Sequence, residues 1–468
     1  MTDTPRDGRA NPFDLSDTIV AEATVSGRGA LAIIRLAGPD AHTIARAAVS
    51  AWPHQPRQSV LSTVHDAGGN VLDQSIVIRY DAPASFTGEN AVEIITHGGL
   101  VVPATVLGAL IARGARLAQR GEFTRRALLN GKLDILQAEA TGDLIAADSR
   151  AAQRVALRQL DGGLSRRVLA LRDEMIGLEA LIAYDIDFPE EDDGPIAPAR
   201  IHDATESLLT GLGSLLATAR AGELVRQGAI VVLAGAPNVG KSSLFNALVG
   251  ERRAIVTDVP GTTRDAIEAV IDTPTVPLRL VDTAGLRDTA DVVERLGVEV
   301  SESYLARAAV VLACADNIES AATVGKALAA SSAAVIGVRT KRDVGPPSPA
   351  ELVSIGKELG TPSVVVVSAE TGECLDDLVR EIERVVAAGA LPPDADAPLL
   401  TRERHRHAVT HALDEVRAFR HAWRSEALPA PVAAVHLREA ITALEELIGA
   451  VDVEDVLDEV FRRFCVGK

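Results

Sequence analysis

The segment GAPNVGKSS, residues 235–243, gathers groups suited to holding a chain of phosphates. Its glycines permit a tight turn, consecutive backbone amides can face an oxyanion, Lys241 can reach the outer phosphates, and the Ser242 hydroxyl can ligate magnesium. Asn238, Val239, Gly240, Lys241, Ser242 and Ser243 thus form a phosphate cradle. An apolar run, AIVVLA, precedes the cradle and LFNAL follows it, so a strand delivers the loop and a helix N-terminus closes it.

Three further groups follow in the order that nucleotide chemistry requires. TDVPGTTRD supplies Thr257, Asp258, Val259, Pro260, Gly261, Thr262 and Thr263, the last placed to meet magnesium and the terminal phosphate. LRLVDTAG ends a strand at Asp282, a carboxylate suited to the magnesium shell; Thr283 and Ala284 follow, and Gly285 can offer its amide to the terminal phosphate. TKRD carries Thr340, Lys341 and Asp343; the Asp343 carboxylate can accept from the guanine ring, which selects guanine over adenine. SAE, with Ser368, Ala369 and Glu370, would cap the base. Together, each at a strand end, these groups make GTP the expected ligand. Thr340 stands where asparagine is usual, and its shorter side chain predicts a weaker hold on guanine.

Leu286, after DTAG, has neither donor nor acceptor and cannot orient an attacking water. Downstream acids Asp288, Asp291, Glu294 and Glu299 are candidates for that task. The amide oxygen of Asn238 can ligate a monovalent cation beside the phosphates. Such a charge could act where other GTPases insert an arginine, worth about 10³ to 10⁵ in rate.

The elements that must position these groups are legible as changes of rhythm. Short apolar stretches such as AIIRLAG, SIVIRY and AVEIITHGG, within residues 17–126, read as strands of an α+β domain. Residues 128–227 carry apolar residues every three or four positions, the pattern of amphipathic helices, with one acidic loop at 185–195. Strands and helices then alternate from 228 to about 387, the βαβ rhythm of a doubly wound, mostly parallel sheet. Helical periodicity returns after LPPDADAP. A helical domain flanking an inserted nucleotide domain accounts for this order.

With 468 residues, roughly three domains are expected at about 150 residues each. Aromatic residues make up only 3%, so helical cores of Ala, Leu and Val are expected. The polar N-terminus lacks the layout of a signal peptide and no apolar run would span a membrane, which predicts a soluble, cytoplasmic protein. The three cysteines form no CxxC pair, against a disulfide framework or zinc finger. A net charge of -18 repels polyanions on average, so nucleic acid must be met by local basic patches. RGARLAQRGEFTRR (113–126) and RERHRH (402–407) are candidates for nucleic-acid contact, or else solvated faces.

DTIVAEAT, FTGENAVEIITHGG, RGEFTRRALLNGKLDILQAEA, DFPEED, the nucleotide motifs with VERLGVE, and the terminal FCVGK together resemble the MnmE (TrmE) family of tRNA-modifying GTPases. The resemblance runs from Asp17 to Lys468. It implies a disordered extension at 1–16, a dimerising tetrahydrofolate-binding α+β domain at 17–130, a helical domain at 131–227 and 389–468, and a Ras-like P-loop G domain inserted at 228–388. It further implies a homodimer that joins an FAD-containing MnmG (GidA)-type partner in a heterotetramer. The pair would place an aminomethyl or carboxymethylaminomethyl group on carbon 5 of the wobble uridine of certain tRNAs. The one-carbon unit would come from 5,10-methylene- or 5-formyl-tetrahydrofolate.

By motif position, Asn238, Thr257, Val259 and Thr262 would hold potassium, Ser242 and Thr263 magnesium, and Glu294 would orient the water through a second water. Potassium-stimulated pairing of two G domains would drive hydrolysis. Arg35, Glu93, Lys132 and Lys468 would contact folate; their charges suit its carboxylates and pterin nitrogens. Cys465 is either a thiol at the modification centre, adding to carbon 6 of uridine, or a small buried residue. The sequence departs from the family pattern in its N-terminal extension, in Thr340 for Asn, in Cys374 for Gly and in Val466 for Ile. The competing reading is a GTP-operated switch that binds a ribosome or assembly factor without covalent chemistry; the folate-domain motifs and FCVGK favour the enzyme.

Overall fold

The computed structural model describes residues 16–187, 197–251, 267–282, 304–329, 331, 333–388, 397–425, 429–449 and 467. The chain forms two compact units, residues 1–142 with 448–468, and residues 143–447.

The first unit runs β1 (Ile19–Glu22), β2 (Leu31–Ala37), α1 (Ala41–Ala48), β3 (Ser59–His65), β4 (Val71–Tyr80), β5 (Ala91–His97), α2 (Val102–Ile111), β6 (Arg116–Leu117), α3 (Glu122–Leu129) and α4 (Ile135–Ala146). Its sheet has the order β3-β4-β5-β2-β1-β6 and is antiparallel except where β1 meets β6. Alternation decides what each face carries. Ile34 and Leu36 of β2, Val77 of β4, and Val92 and Ile94 of β5 point to one side and pack with Ile44 of α1 and Val106 and Leu110 of α2. The other face holds Arg35 opposite Glu93, direct neighbours in the β2–β5 register. Phe123 of α3 packs there against Ile19, Ala21, Ala37 and Ala91.

The second unit begins with α5 (Arg150–Leu160), α6 (Gly163–Asp187), α7 (Pro198–Ala217) and α8 (Ala219–Gln227). In α6 the buried residues Leu164, Val168, Leu171, Met175, Leu178 and Ile182 recur every three or four positions, and α7 buries Ile201, Leu208, Leu212 and Leu215 against it. The nucleotide sheet follows: β7 (Ala229–Gly235), α9 (Lys241–Glu251), β8 (Ile267–Ile271), β9 (Leu278–Asp282), β10 (Val310–Ala315), α10 (Ile318–Leu328), β11 (Ala334–Arg339), α11 (Pro349–Leu359), β12 (Val364–Val366) and α12 (Leu375–Ala388). Its order is β12-β11-β10-β7-β9-β8, parallel except for β8 against β9.

β10 is buried along its whole length because helices cover both faces. Leu244 and Leu248 of α9 and Leu378 and Ile382 of α12 pack on one face; Val324 of α10 and Ile355 of α11 pack on the other. The chain then returns to helices α13 (Glu403–Ser425) and α14 (Ala430–Ile448), and α13 buries Val409, Leu413, Val416 and Phe419. Helical segments therefore flank the nucleotide sheet in sequence, as the periodicity predicts. No helix among the described residues is long and apolar enough to cross a membrane.

Candidate functional site

β7 delivers the phosphate loop and α9 closes it. Only glycine fits at 235: an added Cβ would lie 2.7 Å from the Cys314 carbonyl oxygen and 2.9 Å from Val239 Cγ2. Asn238 (φ 62) and Gly240 (φ 95) take left-handed conformations that turn the chain sharply into the helix. The Lys241 ammonium donates to the carbonyls of Gly235 (3.0 Å) and Ala236 (2.9 Å), so the loop wraps its own cation. Ser242 Oγ donates to Asp282 Oδ2 at 2.7 Å, and Asp282, at the end of β9, is 1% exposed. Two hard oxygen donors thus meet beside a helix N-terminus, a setting that fits magnesium and phosphate. Cys314 lies beneath the loop, and burial pushes its thiol up to about 12, which makes it inert packing.

The base-reading loop follows β11 and is tied to the phosphate loop. Thr340 Oγ1 donates to the Val239 carbonyl at 2.6 Å and lies 3.3 Å from that of Ala315. Lys341, itself at φ 57, donates to the Asn238 carbonyl and to Asp316 Oδ2, both at 2.8 Å. Burial acts to raise the Asp316 carboxyl, but hydrogen bonds from Lys341 and Ser320 outweigh it and hold the group below its ordinary range. Ser368 Oγ donates to Asp343 Oδ1 at 2.6 Å, which orients that carboxylate. Cys374 has φ 60, which explains why glycine suits that position, and Arg342 donates to its sulfur at 2.9 Å. Asp316, Ser320 and Cys314 were not singled out from sequence; Asp316, just after β10, is the one that strand-end position signals.

Thr257, Asp258, Val259, Pro260, Gly261, Thr262, Thr263, Thr283, Ala284, Gly285, Glu294, Cys465 and Lys468 lie outside the described residues. Gly467 is described: with φ 98 it sits so close to β1 that an added Cβ would be 2.3 Å from the Glu22 carbonyl oxygen.

In the first unit, Arg35 and Glu93 hold each other. Arg35 donates to Glu93 Oε1 through Nε (3.0 Å) and Nη2 (2.8 Å), and Tyr80 donates its hydroxyl to Oε2 at 3.1 Å. Burial, then the neighbouring Glu93, raises the Tyr80 hydroxyl above its ordinary value. The Arg35 guanidinium sits 5.7 Å from the Phe86 ring and 5.8 Å from that of Phe123. Lys132 donates to the Pro83 carbonyl at 3.1 Å, in the same loop as Phe86. Tyr80 and Phe86 were absent from the sequence reading; the FTGEN stretch was its signal for the second.

Both basic stretches proved to be largely committed within the protein. Arg126 is 1% exposed and bonds Asp17, Glu89 and Glu122; Arg116 bonds Asp17 and Glu122; Arg113 donates to the carbonyls of Ala109 and Asp66. In the second stretch Arg402 bonds Asp143, Arg404 reaches the carbonyls of Glu446 and Leu447, Arg406 pairs with Glu403, and His405 is buried. Those arginines neutralise nearby acids and cap backbone carbonyls.

A phosphate loop and a carboxylate at the ends of the neighbouring strands β7 and β9, with Asp343 in the loop after β11 of the same sheet, define a P-loop nucleotide-binding protein of the GTPase class. The family model described as the MnmE helical domain matches residues 135–465, and that of the GTP-binding protein TrmE N-terminus matches residues 18–132. The tRNA modification GTPase MnmE of Azoarcus sp. is 43% identical over 456 residues, which are 97% of this chain and 98% of that protein. Its counterpart in Neisseria meningitidis serogroup C is 40% identical over 96% of this chain and 99% of its own length; that of Heliobacterium modesticaldum is 39% identical over 97% and 100%. The chain belongs to the MnmE (TrmE) family.

Proposed function

We propose that the protein is a GTP-hydrolysing tRNA modification enzyme. One observation carries the nucleotide half: Lys241, Ser242 and Asp282 on the phosphate side and Thr340, Lys341, Asp343 and Ser368 on the base side meet at one edge of one sheet. Full-length likeness to relatives named tRNA modification GTPases supports the other half.

Asp343, held by Ser368, accepts from the guanine ring. Lys241 leaves the carbonyls of Gly235 and Ala236 for the outer phosphates, where its charge is needed. Ser242 and Asp282, with Thr263, hold magnesium, which when bound neutralises phosphate charge. The Gly285 amide meets the terminal phosphate, and Glu294 orients the attacking water through a bridging water. Asn238, Thr257, Val259 and Thr262 hold potassium, which supplies positive charge when two G domains pair.

In the first unit Arg35, Glu93, Lys132 and Lys468 hold 5,10-methylene- or 5-formyl-tetrahydrofolate. Phe86, 42% exposed beside the Arg35–Glu93 pair, offers a flat apolar face that fits a pterin ring, and this supports the assignment. The homodimer works in the cytoplasm with an FAD-dependent MnmG-type partner on carbon 5 of the wobble uridine. Nucleoside analysis by mass spectrometry of tRNA from a strain lacking the gene tests this: loss of the modified wobble uridine is expected, and an unchanged nucleoside profile would sink the modification reading.

A further inference from the structure

The nucleotide sheet is inserted between α8 and α13, so two chain segments connect it to the helices. One carboxylate fastens both. Asp143 Oδ1, near the end of α4, accepts from Arg226 Nε at 3.2 Å on the incoming segment and from Arg402 Nη2 at 2.7 Å on the outgoing one. The three side chains are only 17%, 27% and 17% exposed, so water screens them weakly.

Neighbouring contacts hold the outgoing segment in the same frame. Gln159 of α5 donates to the Leu399 carbonyl at 2.9 Å and reaches Thr401 Oγ1 at 3.3 Å. The Leu400 amide donates to Thr218 Oγ1 at 3.1 Å, and α8 approaches so closely at Gly222 that an added Cβ would lie 2.2 Å from the Leu400 carbonyl oxygen. A cavity of about 230 Å³ bordered by Asp143, Asp148, Gln159, Arg226 and Arg279 leaves room for the cluster to rearrange. Two guanidiniums face a single carboxylate oxygen. Loss of its charge weakens both bonds, and with them both connections, at once.

We propose that Asp143 is a positioning residue that locks the two connections of the nucleotide domain into one frame. A change of state in that domain is thereby passed to the helices and not lost in a loose tether. The inference rests on the proposed function, and its test separates the two.

The full-length Asp143→Asn variant keeps the side chain's size and drops its charge. GTP turnover should stay within about twofold of the parent, while tRNA modified per GTP hydrolysed, assayed with the FAD partner, falls about tenfold. Asp143→Glu, which keeps a carboxylate, should recover most of the loss. Hydrogen exchange in residues 219–228 and 397–402 should rise together in the Asn variant and in Arg402→Gln. Unchanged exchange in either segment overturns the proposal, as does unchanged modification, or a parallel loss of both activities with lowered thermal stability. A parent protein that hydrolyses GTP and modifies no tRNA overturns the proposed function; the exchange measurement then still decides the role of Asp143.

Discussion

The Thr340 hydroxyl, 3% exposed, lies 2.6 Å from one carbonyl of the phosphate loop and 3.3 Å from one at the end of β10. Read as a shortened asparagine, this residue predicts weaker guanine binding; in place, it joins the phosphate side of the site to the base side. Thr340→Val removes the donor that the Val239 carbonyl accepts from, at a cost of about 1–3 kcal/mol, while the Ala315 carbonyl keeps the residue's backbone amide. Affinity for GTP and GDP should fall about tenfold, whereas Thr340→Ser, which keeps the hydroxyl, stays near the parent. Titration with a fluorescent guanine nucleotide measures both; equal affinity for the valine variant would show that the bond does not shape the site.

Glu89 offers a second residue-level test. Burial raises its carboxyl above the ordinary value, against the pull of Arg126. A folded value above the unfolded one favours the neutral form, so its stabilising contribution is full below about pH 4 and is lost as pH rises through the folded value. Asp17 and Glu122 run the other way: burial opposes, but arginine hydrogen bonds hold both low, so their contribution is present at neutral pH and lost on acidification. Glu89→Gln stays neutral at every pH. Its melting temperature relative to the parent should rise as pH increases from about 4, and a falling difference would mean that the folded value lies below the unfolded one.

At the scale of elements, the nucleotide sheet is held by helices that touch backbone to backbone. In α10 an added Cβ at Gly325 would lie 1.9 Å from the Glu358 carbonyl oxygen of α11, far inside the closest approach of non-bonded heavy atoms. Gly325→Ala must therefore push α10 off its neighbour and should destabilise the protein by about 1–3 kcal/mol or more, read as a lowered midpoint in urea. The strands β2, β4, β5, β7 and β11 were legible because alternation or continuous apolar character is a local property of the chain. β6 was not: its two residues, Arg116 and Leu117, carry no period, and pairing with Ile19 and Val20 alone makes them a strand. In the 113–126 run, likewise, the partners of the arginines cannot be read from the sequence. Asp17 lies 109 residues from Arg126, and nothing local announces that the two will meet.

For the whole molecule, a charge of -18 leaves acids to spare, and arginines such as Arg116 and Arg402 among the described residues bond acids within the protein. The proposed pairing of two G domains around potassium carries an ionic prediction at this scale. GTP hydrolysis should be at least about tenfold faster in potassium than in sodium chloride of equal ionic strength. Equal rates would remove Asn238 from its proposed cation site.

The nucleotide chemistry was determined by the sequence itself. Its phosphate loop, strand-ending aspartate and base-reading tetrapeptide are short contiguous segments, and each takes its shape from glycines, spacing and the strand or helix beside it. Tertiary structure alone decided which of these segments hold one another. Thr340 meets Val239 across 101 residues, Arg402 meets Asp143 across 259, and Arg35 meets Glu93 across 58. Such bonds form only when separate elements pack, because a hydrogen bond needs its partners within about 3 Å and chain order does not supply that closeness.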